Sequence, residues 1–311
     1  MADRHSKGAR WRTWVWLLWL GALLLAGCDE APHSAGPRYG EAPAQQQTRI
    51  YRLAVHPLHN PARLLQAYQP LADYLADGIP GARFEVEASR DYADFERKLR
   101  TGGPDLLLPN PWQALQAMAS GYTVLAMAGD AEDFKGILVV RRSSPIRTPA
   151  DLKGRTLAYP SPTALAACIM PQWYLSQAGL DVNRDLVNRY VGSQESAIMN
   201  AYLGQADAGV TWPPPWRAFV RQYPEKAAEL QVIWETPPLM NNAFMARRDL
   251  PVELRGRIRH RLLALQDSEA GRRILAGMET ARFHPASDAD YDRVRAFIAR
   301  FEARVRKVEK P

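Results

Sequence analysis

Three times in this chain a short apolar run ends in a polar residue and a proline, and a stretch of helical spacing begins there: Asn60-Pro61, Asn110-Pro111 and Ser161-Pro162. Asn and Ser are favoured N-caps, and proline is favoured at the first helical position, where its missing N–H leaves no bond unmade. Each pair reads as a helix N-terminus just past the carboxyl end of a strand. Ser193 marks a fourth junction without the proline. A chain built this way has few options. Strands that feed directly into helices give an α/β fold with mostly parallel sheets flanked by helices. In such sheets ligands bind beyond the carboxyl ends of the strands, where helix N-termini present free N–H groups.

The intervening segments agree. Residues 51–55, 84–86, 106–108, 156–159, 187–191, 208–211 and 242–246 read as strands. Residues 64–75, 92–99 and 112–118 have helical spacing, and further helices are expected up to about residues 177 and 203. Beyond residue 246 the chain reads as largely helical, with an amphipathic helix over 291–308. Residues 49–311 are long for one core and suit two lobes.

The front of the chain reads differently. Arg4, Lys7, Arg10 and Arg12 precede an uncharged run over residues 14–25, which ends at Leu25-Ala26-Gly27-Cys28. A basic opening, a short apolar core and small residues before a cut site predict a secretory signal peptide over residues 1–27. The apolar run has 12 residues, well short of the roughly 20 a spanning helix needs. Residues 29–48, rich in Ala, Pro and Gln, predict a tether reaching roughly 60 Å at full extension.

Charge and cysteine content narrow the function classes. Residues 1–27 carry +3 of the chain's net +7, which leaves a mild, scattered +4. With no basic stripe interleaved with aromatics, nucleic acid is not an expected partner. Cys168, the one cysteine besides Cys28, lies in an apolar stretch and reads as a buried inert thiol. Motifs for phosphate loops, dinucleotides, serine nucleophiles and zinc helices are absent from the sequence. His56 and His59 lack partners at a metal-binding spacing and read as loop residues at a cleft mouth. No enzyme activity, cofactor or metal is expected. Tyr92, Trp112, Tyr159 and Trp212 stand at strand–helix junctions, where they suit a pocket wall and a core equally.

The ordered landmarks Tyr68-Gln69-Pro70-Leu71-Ala72-Asp73-Tyr74-Leu75, Asp91-Tyr92, Gly103-Pro104-Asp105-Leu106, Asn110-Pro111-Trp112, residues 151–159 (DLKGRTLAY), Gly192-Ser193-Gln194-Glu195 and residues 204–209 (GQADAG) resemble a known family. It is the substrate-binding proteins of phosphate, phosphite and phosphonate ABC transporters, with the type 2 periplasmic-binding, transferrin-like fold. Leu25-Ala26-Gly27-Cys28 likewise resembles the lipobox of bacterial lipoproteins, whose cysteine is lipidated, and Asp29 resembles an inner-membrane retention signal. The resemblance implies lobe one over residues 49–140 and 241–311, lobe two over 141–240, and a periplasmic monomer that closes over a small solute and passes it to a permease. A sensory protein of the same fold, signalling to a membrane kinase or cyclase, is the alternative.

Family members that bind phosphonates carry a Ser/Thr run in the stretch matched here by Ser161-Pro162-Thr163-Ala164-Leu165-Ala166. Ala164, Leu165 and Ala166 replace those hydroxyls, and Gln194-Glu195 stands where His-Asp is common. The expected cleft residues are Tyr92, Asn110, Trp112, Tyr159, Thr163, Ala164, Leu165, Gln194 and Trp212. Asn110 and Gln194 would hydrogen-bond the ligand, the aromatics would wall it, and Thr163 with the amides of Ala164 and Leu165 would meet an oxyanion. Glu195 would repel an anion if it faced the cleft.

Overall fold

The computed structural model of the protein describes residues 48–308; the signal, Cys28, Asp29 and all but the last residue of the expected tether lie outside them. The chain runs β1 (Arg49–Val55), α1 (Pro61–Asp77), β2 (Ala82–Glu87), α2 (Tyr92–Arg100), β3 (Leu106–Leu108), α3 (Pro111–Ala119) and β4 (Tyr122–Ala128). It continues through β5 (Ile137–Arg141), β6 (Thr156–Tyr159), a π-helical turn (Leu165–Ile169), α4 (Met170–Gln177), β7 (Val187–Tyr190), α5 (Gln194–Tyr202), β8 (Ala208–Thr211), α6 (Pro213–Gln222), α7 (Pro224–Ala228) and β9 (Leu230–Glu235). It closes with β10 (Asn242–Arg247), α8 (Val252–Leu263), α9 (Glu269–Gly277), β11 (Phe283–Pro285) and α10 (Asp292–Arg304).

Two sheets result. One has the order β11-β4-β10-β3-β1-β2, the other β7-β6-β8-β5-β9. The α/β class and the flanking helices are as expected, but the sheets are mixed rather than mostly parallel. β1 pairs in parallel with β2 and β3, and β6 with β7 and β8. The pairings of β10 with β3 and β4, of β11 with β4, and of β5 with β8 and β9 are antiparallel. The physical reason is the double crossover. β5 and β10 each enter a sheet from the other lobe, so no βα unit sets their direction.

The same strands correct the expected lobe boundary. Ile137 pairs with Thr211 and Glu235, so residues 137–140 belong to the second sheet, and the first crossover spans residues 129–136. The second crossover, residues 236–241, runs beside it. Gly136 N–H donates to Thr236 Oγ1 at 2.9 Å, Thr236 N–H to the Gly136 carbonyl at 2.9 Å, and Leu239 N–H to that of Phe134 at 3.0 Å. Gly136 has no room for a side chain: a Cβ there would lie 2.4 Å from the Ala166 carbonyl oxygen. The first crossover is thereby pressed against the π-helical turn. At the far end, helix α10 stops at Arg304 instead of running to 308, and the tail reaches the second lobe. Arg306 donates to the Pro162 carbonyl and to Gln172 Oε1, each at 2.8 Å, and Asn183 donates to the Val305 carbonyl at 2.9 Å.

Helices form where apolar spacing meets a cap. On α1, Leu64, Tyr68, Leu71, Ala72 and Leu75 make one buried stripe, and Asn60 Oδ1 accepts from Arg63 N–H at 3.1 Å. Asn110 does the same for α3 through Gln113 N–H at 3.0 Å, inside a full capping box. Ser193 caps α5 through Ser196 N–H. Ser161-Pro162 departs from this pattern. Ser161 Oγ accepts from Thr163 N–H at 3.2 Å, but Ala164 stays extended and the helix starts at Leu165 with a π turn.

Candidate functional site

The carboxyl ends of the strands converge on one small cavity. β1 delivers His56, β3 delivers Asn110, and the segment after β2 delivers Tyr92. From the second lobe, the segment after β6 supplies Ala164, Leu165, Ala166 and Ala167, the start of α5 supplies Gln194, and the residue after β8 is Trp212. Phe134 of the first crossover and Asn242 at the start of β10 complete the lining. The cavity measures about 10 Å³, room for about one water molecule. This is a closed cleft.

Six of the nine expected residues line it: Tyr92, Asn110, Ala164, Leu165, Gln194 and Trp212. Three do not. Trp112 is buried in the core behind the cleft. Tyr159 is buried too, its ring centroid 5.9 Å from that of Tyr190. Thr163 points its hydroxyl away from the lining, to Glu96 Oε1 at 2.6 Å. The expected repulsion from Glu195 does not arise at the lining, because its carboxylate accepts from Tyr223 Oη at 2.9 Å.

Several of these contacts hold the lobes together. Gln194 Nε2 donates to Tyr92 Oη at 3.0 Å, and Thr211 Oγ1 donates to Gln194 Oε1 at 2.8 Å. Asn110 Nδ2 donates to the Thr163 carbonyl at 3.3 Å. Glu96 accepts from both Thr163 of the second lobe and Gln113 of the first. Burial pushes the Glu96 carboxyl above its ordinary range, against the pull of those two hydrogen bonds. Sequence reasoning missed Glu96, yet its signal is visible. Tyr92, Phe95, Glu96 and Leu99 share one helical stripe, and a carboxylate on an apolar stripe needs buried partners.

His56, Phe134, Ala166, Ala167 and Asn242 also line the cleft without having been expected to bind. His56 is 2% exposed, and its Nδ1 lies 2.9 Å from the Leu108 carbonyl oxygen. A carbonyl only accepts, so Nδ1 carries the proton and Nε2 keeps a lone pair. Burial holds the ring neutral, with its pKa pushed down to about 4. Asn242 Oδ1 is buried without a hydrogen-bond partner. Phe134 packs on Trp212 with ring centroids 5.4 Å apart.

Chemically, the lining joins donors to acceptors without fixed charge. Among the described residues, no Arg, Lys, Asp or Glu lines the cavity. The first N–H groups of the π-helical turn have no acceptor within their own helix and belong to residues of the lining. Among the described residues, no group of three or more His, Cys, Asp or Glu is placed to hold a metal ion. No described helix is long and apolar enough to cross a membrane. A larger cavity, about 410 Å³, lies apart from the cleft at the second crossover, between α4 and α10.

Known proteins fall in line with this geometry. The structure is similar to that of PhnD1 from Prochlorococcus marinus (MIT 9301) in complex with methylphosphonate, with a TM-score of 0.75 and 19% identity, covering 82% of this chain and 99% of that one. A binding protein component of an ABC phosphonate transporter from Pseudomonas aeruginosa is similar at a TM-score of 0.74 and 18% identity, over 82% and 87% of the two chains. In sequence, PhnD1 aligns over 135 residues at 23% identity, 41% of this chain and 46% of PhnD1. The tetrathionate sensor histidine kinase TtrS of Salmonella typhimurium aligns over 140 residues at 27%, 42% of this chain and 24% of the kinase. The alignments thus span less than half the length of these curated relatives. A family model described as "ABC transporter, phosphonate, periplasmic substrate-binding protein" matches residues 53–291, and with most of its length inside that match the chain belongs to this family.

Proposed function

We propose that this protein is the solute receptor of an ABC importer, a monomer held at the periplasmic face of the inner membrane by lipid on Cys28. It captures a small oxyanion of the phosphonate, phosphite or phosphate type between its lobes, releases it to the permease and converts nothing. One observation carries the reading: the unpaired start of the π-helical turn lines a cavity closed over by hydrogen bonds from the opposite lobe. Backbone N–H groups at a helix start suit an oxyanion without needing the lost hydroxyls. Tyr92 supplies a further donor: its oxygen already accepts from Gln194, so its own proton is free for a ligand. Asn110, Leu165 and Gln194 are the remaining polar contacts, and Trp212 walls the cleft; Ala164, whose N–H donates to the Ser161 carbonyl at 3.2 Å, lines it as an apolar surface, and Trp112, Tyr159 and Thr163 support from behind. The sensory alternative is not favoured, because the family is one of transporter components.

A cavity this small means that a phosphonate enters only as the lobes part. A thermal-shift screen of the full chain in detergent, against phosphate, phosphite, alkylphosphonates and neutral metabolites, tests the reading. An oxyanion at 100 times its Kd is expected to add about 2.7 kcal/mol of stability. Shifts confined to uncharged compounds, or turnover of any ligand that binds, overturn it. Cys28→Ser is expected to release the protein from the membrane fraction.

A further inference from the structure

The cleft offers two acceptors beside its donors. His56 Nε2 carries a lone pair because Nδ1 donates to the Leu108 carbonyl. Asn242 Oδ1 is buried with no hydrogen bond, on a residue 3% exposed. Both residues share one lining with Ala164 and with Leu165 to Ala167 at the start of the π-helical turn. A fully ionised oxyanion presents only lone pairs. It would satisfy the N–H groups and repel both acceptors. It would also bring its whole charge into a lining with no cationic side chain among the described residues, and an uncompensated buried charge is costly. An anion that keeps one acidic proton meets each of these conditions. Its oxygens accept from the amides, its O–H donates to an acceptor, and its charge is smaller.

Resting on the oxyanion reading above, we infer that the cleft selects the singly protonated form of a tetrahedral oxyanion, with His56 Nε2 and Asn242 Oδ1 as the acceptors for its O–H. The imidazole is suited to this role because burial keeps it neutral, and its lone pair available, at neutral pH. The unpaired Asn242 carbonyl then has a purpose. A buried orphan acceptor destabilises a fold, and a proton-bearing ligand relieves it.

The test uses two ligands of one shape. Methylphosphonate carries an acidic proton in its singly charged form, and methanesulfonate has the same tetrahedral head and a single charge but no proton to give. Titration calorimetry on the full chain in detergent micelles is expected to show methylphosphonate binding at least about tenfold more tightly, the scale of one buried hydrogen bond. Asn242→Leu and His56→Leu are each expected to weaken methylphosphonate while methanesulfonate, relieved of one repelling acceptor, binds no more weakly than to the parent, so that the preference between the two collapses. Equal or tighter binding of methanesulfonate to the parent protein overturns the inference and leaves the oxyanion reading standing. If neither anion binds, the oxyanion reading falls and this inference falls with it.

Discussion

His56 and His59 are buried where water would otherwise solvate them, and both pKa values are pushed down to about 4, chiefly by desolvation. The unfolded chain takes up protons near the ordinary value of 6.5, whereas the folded chain refuses them until about pH 4. Stability is therefore full above about pH 6.5 and is lost as pH falls toward 4, by roughly 3 kcal/mol for a fully buried ring. Melting temperature measured from neutral to acidic pH is expected to drop, and His56→Asn is expected to flatten the slope by about one proton. Glu96 acts in the opposite direction. Its carboxyl is raised by burial, so the folded state holds its proton longer, and this group costs stability as pH rises past the carboxylate range. Glu96→Gln keeps an acceptor for Thr163 and Gln113 without the charge. It is expected to melt higher than the parent at neutral pH, with the gap closing in acid; an equal gap at both pH values would refute the charge argument.

At the level of elements, the π-helical turn sets what the cleft can do. It takes the place of an ordinary helix start after Ser161-Pro162 and brings Ala164 to Ala167 to the lining. Gly136 lets the first crossover lie against it, with no space for a Cβ beside the Ala166 carbonyl. Gly136→Ala is expected to cost about 1–3 kcal/mol by overpacking and to weaken ligand binding, since relief requires the turn to move. Chemical denaturation and a binding titration on the same variant check both. Asn110 joins two elements, capping α3 through Gln113 N–H and reaching the Thr163 carbonyl of the other lobe. Asn110→Ala is expected to lose about 1 kcal/mol for the cap, plus whatever the bond to Thr163 contributes.

For the whole molecule, the lobes are held shut at the rim as well as in the cleft. Glu279, after α9 of lobe one, pairs with Arg217 at 3.5 Å and with Arg221, both on α6 of lobe two. Arg217 also grips Asp133 of the first crossover with two bonds of 2.8 and 2.7 Å. Glu279 has φ of 55°, a left-handed conformation rare for glutamate, yet its side chain is only 6% exposed. That conformation closes α9 in a Schellman motif: Thr280 N–H donates to the Leu275 carbonyl at 3.0 Å and Glu279 N–H to that of Ala276 at 3.2 Å, which fixes the place of the carboxylate at the closing contact. Glu279→Gln is expected to shift the population toward the open form, seen as a larger radius of gyration in solution scattering. Added salt is expected to do the same to the parent, because the arginines are 43% and 58% exposed and such pairs are readily screened.

What the sequence determined by itself was whatever depends on neighbours along the chain. Caps at Asn60, Asn110 and Ser193, the buried stripe of α1 and the strand-to-helix junctions are local chemistry; Tyr92, Asn110 and Trp212 were named for their place at those junctions, whereas Ala164, Leu165 and Gln194 were named through the family resemblance. Strands β4, β5, β9 and β11 were not read, because no βα junction announces them and β5 takes its direction from a crossover. The tertiary structure alone decided that residues 137–140 pair with the second lobe. It alone turned the Thr163 hydroxyl to Glu96 and set Tyr159 and Trp112 behind the cleft wall. His56 shows the division most clearly. Its place after the first strand is written in the sequence, but its tautomer is fixed by the Leu108 carbonyl, 52 residues away, and only folding brings that oxygen near.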